Sequence, residues 1–93
     1  MSHYRAGQRA EHRSRALLEA LGYHVVRSAG SKGAVDLVAI SGGEVLLIQV
    51  KRGSRGFSPA EREALMLLPR PAGCRVVVHR WKPRARLPMV EEL

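Results

Sequence analysis

The chain opens on a stretch with helical spacing. Ala10, Leu17, Leu18 and Leu21 recur along Gln8 to Leu21, and Gly22 follows where a helix would stop. Tyr23 to Arg27 is a short β-branched run that reads as a strand. Ser28 to Gly33 is small, polar and glycine-bearing, which marks a loop. Two apolar runs come next, Ala34 to Ile40 and Val45 to Val50, joined by Ser41-Gly42-Gly43-Glu44. A glycine pair between such runs predicts a hairpin, because mirror-image turns need positive φ. Both runs are apolar at nearly every position, so both faces of the hairpin are expected to be covered.

Lys51 to Gly56 is a basic, glycine-rich exit loop. Ser58-Pro59-Ala60-Glu61 then has the form of a helix start: Ser at the N-cap, Pro at the first helical position, Glu three residues after the cap. That helix is expected to run to about Leu68, ahead of Pro69 and Pro71. Cys74 to Trp81 predicts a last strand, and Lys82 to Leu93, with two prolines, an irregular tail. The order α-β-β-β-α-β implies one α/β domain over residues 1–93, with a core from about 5 to 81 and helices flanking a central mixed sheet.

Composition adds the kind of partner. Sixteen Lys and Arg against eight Asp and Glu leave a formal charge of +8, and thirteen of the cations are Arg. So dense a positive surface repels itself and calls for a polyanion. Arg suits phosphate because its planar fork donates two parallel hydrogen bonds. No run of eighteen apolar residues is present, so no membrane span is expected. Met1 to Arg5 lacks the apolar stretch of a signal peptide, and Cys74 is the single cysteine, so a cytoplasmic, reduced protein is expected.

The sharper signal is polar. Asp36 is the only Asp and sits inside an apolar run, while Gln49 and Lys51 interrupt the next one. A lone carboxylate in a strand interior needs a cation or donors. If the turn centres on Gly42-Gly43, the numbers of opposed residues sum to 85. Asp36 then faces Gln49 at a Cβ separation of about 4.5–5.5 Å, and Lys51 lies about 7 Å further along the same face. Carboxylate and amide oxygens are hard ligands that suit Mg²⁺, with Mn²⁺ as a substitute. Lys51 would orient an attacking water, which points to metal-assisted phosphodiester hydrolysis. The plainer reading of the same residues is a buried Asp36–Lys51 pair with Gln49 beside it.

Asp36 followed by Gln49-Val50-Lys51 resembles the D…(E/Q)-x-K signature of the restriction-endonuclease-like nucleases. With Glu11, Arg27, the Ser28–Gly33 loop and Val35–Ala39, the stretch from about residue 5 to 68 is similar to the archaeal-type Holliday junction resolvases. The resemblance implies a small mixed sheet flanked by helices, homodimers, and cutting of four-way DNA junctions. It implies Asp36, Gln49 and Glu11 as metal ligands, Lys51 as the lysine that positions water, Ser31 as a loop serine near the catalytic centre, and Arg27 near the scissile phosphate. Arg5, Arg9, Arg13, Lys32, Arg52 and Arg55 flank these positions and could line a phosphate track.

One departure stands out: position 49 is Gln where the resolvases usually carry Glu. An amide can coordinate a metal but brings no charge. A related flap- or end-processing nuclease, or a basic DNA-binding module with a weakened site, therefore stays open beside the resolvase.

Overall fold

The computed structural model describes the backbone of residues 2–28, 34–53 and 57–93, with side chains from residue 9 onward within those ranges. Helix α1 spans Ser2–Ala20, and its Ala, Arg, Leu and Glu content is that of a strong helix former. Its inner face is Ala10, Ser14 and Leu18, spaced by four; Leu21, expected on that face, is exposed. Gly22 ends the helix as expected. At φ 98° it lets Tyr23 N–H reach Leu18 O at 3.0 Å, and its own N–H reaches Glu19 O at 3.0 Å.

Strand β1 (His24–Arg27) pairs antiparallel with β2 (Leu37–Ile40), and β2 pairs antiparallel with β3 (Val45–Arg52). Helix α2 (Pro59–Met66) then crosses over to β4 (Cys74–Trp81), which lies parallel to β3. The cap of α2 is as expected: Glu61 N–H donates to Ser58 Oγ at 3.1 Å, and Ser58 N–H to Glu61 Oε1 at 3.0 Å. The tail departs from expectation, since Met89–Glu92 forms β5 on the free edge of β4. The sheet order is β1-β2-β3-β4-β5. Proline at 83 and 88 only delays that strand, because neither falls inside it.

The two helices cover opposite faces. Ala10 and Leu18 of α1 pack on Val25, Leu37, Ala39, Leu46, Ile48, Val50, Val77 and Trp81. Leu65 of α2 packs with Val76 and Val78, and Ala34, Val35, Leu47 and Phe57 close that side. Both faces of β3 are thus covered, which is why it reads as almost unbroken hydrophobicity. Among the described residues no helix is long and apolar enough to cross a membrane.

The hairpin register is the expected one, Ile40↔Val45 through Leu37↔Ile48, closed by Ser41 N–H on Glu44 O at 2.9 Å. Neither Gly42 nor Gly43 takes a positive φ, so the turn closes without the mirror-image form that the glycine pair suggested. The first strand of the hairpin is also shorter than expected. Residues 34–36 precede it, and pairing stops at Leu37.

Candidate functional site

That early stop decides where the acid goes. Asp36 is not laddered opposite Gln49 as the register alone implied. Its N–H donates instead to Ile48 O at 2.8 Å, one step out of register, and its Oδ2 accepts Val50 N–H at 2.9 Å. The side chain thus replaces a backbone partner at the open end of β3. The physical reason is that a carboxylate can satisfy an edge N–H that a further strand residue would otherwise have to meet.

Strand directions bring the expected residues to one end of the sheet. β1 ends there at Arg27, β2 begins there just after Asp36, and β3 ends there with Gln49, Lys51 and Arg52. Gln49 and Lys51 lie on the same face of β3, both half-buried, as their spacing of two requires. The Gln49 amide has no hydrogen-bond partner among the described residues. Glu11 arrives from α1 and accepts Arg27 Nε on Oε1 at 3.3 Å. A small cleft of about 40 Å³, lined by Glu11, His12, Arg15, Arg27 and Leu37, opens beside this pair.

The electrostatics centre on Asp36. Burial raises its carboxyl above the ordinary Asp range, and the Val50 N–H, Lys51 and Arg27 pull in the opposite direction without overcoming it. Lys51 itself is held at 2.8 Å by Glu61 of α2, which is lowered to about 2, first by that hydrogen bond and then by the Ser58 N–H. The Phe57 ring lies 5.1 Å from the ammonium. Glu61 read from the sequence only as a helix-capping residue. Its second task depends on α2 folding back over the end of β3, which spacing does not reveal.

Some expectations do not meet in one place. Among the described residues no three of His, Cys, Asp and Glu gather as a metal-binding group. Glu11 engages Arg27 rather than converging with Asp36 in such a group. Ser31, Lys32 and Arg55, and the side chain of Arg5, lie outside the described residues. Arg9 and Arg13 are on α1 and Arg52 closes β3, all three around an open groove beside Trp81 rather than in the cleft beside Glu11 and Arg27. Trp81 is buried, with Nε1–H donating to Ser14 Oγ at 2.8 Å, and His79 Nδ1 sits 3.0 Å from the same hydroxyl. Neither that serine nor that histidine carried a signal in the sequence.

The comparisons with known proteins agree with this arrangement. The solved structure of Archaeoglobus fulgidus Hjc, described as a Holliday junction resolvase from an archaeal hyperthermophile, superposes with a TM-score of 0.72 at 31% identity, over 86% of this chain and 67% of that one. The crossover junction endodeoxyribonuclease Hjc of Methanocaldococcus jannaschii is 50% identical over 52 residues, which are 56% of this chain and 38% of that relative's length. A family model described as archaeal Holliday junction resolvase (hjc) matches residues 2–77. With its mixed sheet, two flanking helices and Asp36-bearing sheet end, the chain belongs to the archaeal Holliday junction resolvase family.

Proposed function

We propose that this protein is a metal-dependent, structure-selective DNA endonuclease that cuts phosphodiester bonds in four-way junctions, working in the cytoplasm as a homodimer. The observation that carries the reading is the half-buried Asp36 at the sheet end, fixed by Val50 N–H, with the Gln49 amide and the Lys51 ammonium on the adjoining strand. Family membership and the formal charge of +8 support the choice of DNA.

The donor set fits Mg²⁺, with Mn²⁺ as substitute. Asp36 has a second oxygen outside its Val50 bond, and the Gln49 carbonyl is uncommitted; Mg²⁺ is commonly held by one or two protein groups with water and phosphate completing the shell. Asp36 and Gln49 would hold it, with Glu11 reaching it through water. When bound, the ion supplies charge stabilisation at the phosphate and lowers the pKa of water.

The chain's own residues do the rest. Asp36 is tethered by its backbone bond, which leaves its other oxygen available to a ligand. Lys51 donates toward the attacking water and offsets charge that develops on the phosphate. Arg27, steered by Glu11, presents its remaining N–H donors to the same phosphate. Two copies about a two-fold axis would match the symmetry of the junction and place paired cuts on opposed strands.

The test is cleavage of a labelled four-way junction, a flap and a plain duplex with Mg²⁺, Mn²⁺ or EDTA. Paired, metal-dependent nicks confined to the junction are expected, and Asp36→Ala and Lys51→Ala should abolish cutting while junction affinity persists. Gln49→Glu should sustain cutting at lower Mg²⁺. Preferred cutting of the flap would replace the junction assignment. Binding without cleavage under every metal would leave a DNA-binding module, the reading that the uncharged Gln49 favours.

A further inference from the structure

A second surface lies around the corner from Asp36. Arg9 and Arg13 of α1, Arg52 at the end of β3, and Lys82 and Arg84 after β4 surround an open groove of about 370 Å³ whose floor includes Trp81. No acid lines it. All eight acidic residues of the chain are described, and none forms an ion pair with any of these five cations. Five like charges around one groove repel each other, so the arrangement requires an anionic occupant to be favourable.

The groove is built rather than fortuitous. The Arg13 guanidinium lies 4.2 Å over the Trp81 ring and donates to Ala85 O, so its position is set from two sides. Trp81 is anchored beneath it by Ser14, and Gly53 N–H on Trp81 O at 2.7 Å ties the exit of β3 to the floor. Arg84 sits at φ 64°, a left-handed turn that brings Lys82 and Arg84 back over α1. Lys82 and Arg84 lie beyond the residues that match the family model.

We propose that this groove binds the sugar-phosphate backbone of the DNA arm being cut, at phosphates neighbouring the scissile one. The inference rests on the nuclease reading and extends it. Two elements run directly from site to groove: Arg52 follows Lys51 on β3, and Glu11 lies between Arg9 and Arg13 on α1. Backbone, not base, is the occupant, because Trp81 is buried under Arg13 and offers no open face for stacking.

The experiment is a titration of a labelled four-way junction with the intact chain in EDTA, followed by fluorescence anisotropy over a KCl series. Each phosphate contact contributes about 0.9 to the slope of log K against log salt. The pair Lys82→Gln and Arg84→Asn, with Asn chosen to tolerate positive φ, should make the slope shallower by about 2, with far-ultraviolet circular dichroism unchanged. The pair Arg62→Ala and Arg75→Ala removes the same formal charge from cations already paired with Glu91, Glu44 and Glu92, and should change the slope by less than about 0.5. Equal slopes for the groove pair and wild type would overturn the groove while leaving the nuclease reading, which stands or falls on Asp36→Ala. If the wild-type chain showed no salt-dependent binding of the junction, both would fall.

Discussion

Ser14→Ala removes one oxygen from the interior and should be among the most damaging small changes in the chain. Ser14 is 0% exposed, and its hydroxyl meets Trp81 Nε1–H at 2.8 Å and His79 Nδ1 at 3.0 Å, both from β4 residues that are themselves 4% exposed. The indole can only donate, so Ser14 Oγ accepts there and its remaining capacity serves the imidazole. Alanine leaves both ring nitrogens buried without a partner. A buried polar group left unmet costs about 1–3 kcal/mol, so the pair should cost about 2–4 kcal/mol. In a domain of this size that corresponds to a fall in Tm of roughly 10–25 °C. Urea unfolding is the assay, with fluorescence as the probe because Trp81 is the only tryptophan. A cycle with Trp81→Phe, read by circular dichroism, isolates the indole bond: Ser14→Ala should cost less once the indole donor is gone. A loss below about 0.5 kcal/mol would show that water reaches the cluster and that the three side chains do not form a sealed network.

Further predictions concern charge. Burial lowers the His79 imidazole below its ordinary 6.5, so the folded chain resists its protonation; stability should be full above pH 6.5 and fall as the unfolded chain takes up protons below it, a slope that His79→Phe should flatten in urea midpoints measured from pH 8 to 5. Asp36 is shifted the other way: its contribution to stability is fully present below 3.8 and is lost as pH rises through the higher folded value. Asp36→Asn should therefore match or exceed wild-type stability at pH 7 while failing to cut, and a destabilisation above about 1 kcal/mol would show that its bond and flanking cations outweigh the burial. Glu61→Gln keeps the cap bond but not the charge on Lys51. Because Glu61 is lowered to about 2 from 4.5, wild type should hold an advantage in urea midpoint at pH 6 that vanishes as pH falls toward 2.

The parts of the fold legible in the sequence were those set by short-range physics. The Ser58–Glu61 box, the Gly22 stop and the summed register of the hairpin each depend on residues within a few positions of one another. β5 is not legible in the sequence because its residues are exposed and carry no apolar alternation, and it pairs with β4 across an intervening proline-bearing segment. The site divides in the same manner. The placement of Gln49 and Lys51 on one face followed from strand periodicity, whereas Asp36 left the ladder to meet Val50 N–H, a choice made by an unpaired backbone group that no spacing displays. Glu61 beside Lys51 and Arg13 over Trp81 required the chain to return from far away.

Asp36 remains raised because burial outweighs the two cations that act on it, and those cations already hold partners of their own. Arg27 is paired with Glu11 at 3.3 Å and Lys51 with Glu61 at 2.8 Å, so each brings to the Asp36 neighbourhood a charge that a carboxylate of its own has partly answered. Both pairs are partly exposed, and such pairs contribute little to stability by themselves. Their effect is geometric: the cations are turned aside, toward α1 on one face and α2 on the other. A negative charge on Asp36 would be met by one N–H bond and incomplete neutralisation, in a setting where desolvation makes that deficit costly. A divalent cation at Asp36 would supply the neutralisation that Arg27 and Lys51 leave incomplete. The same turning aside leaves Arg27 and Lys51 with unused donors on either side of the position a phosphate would take.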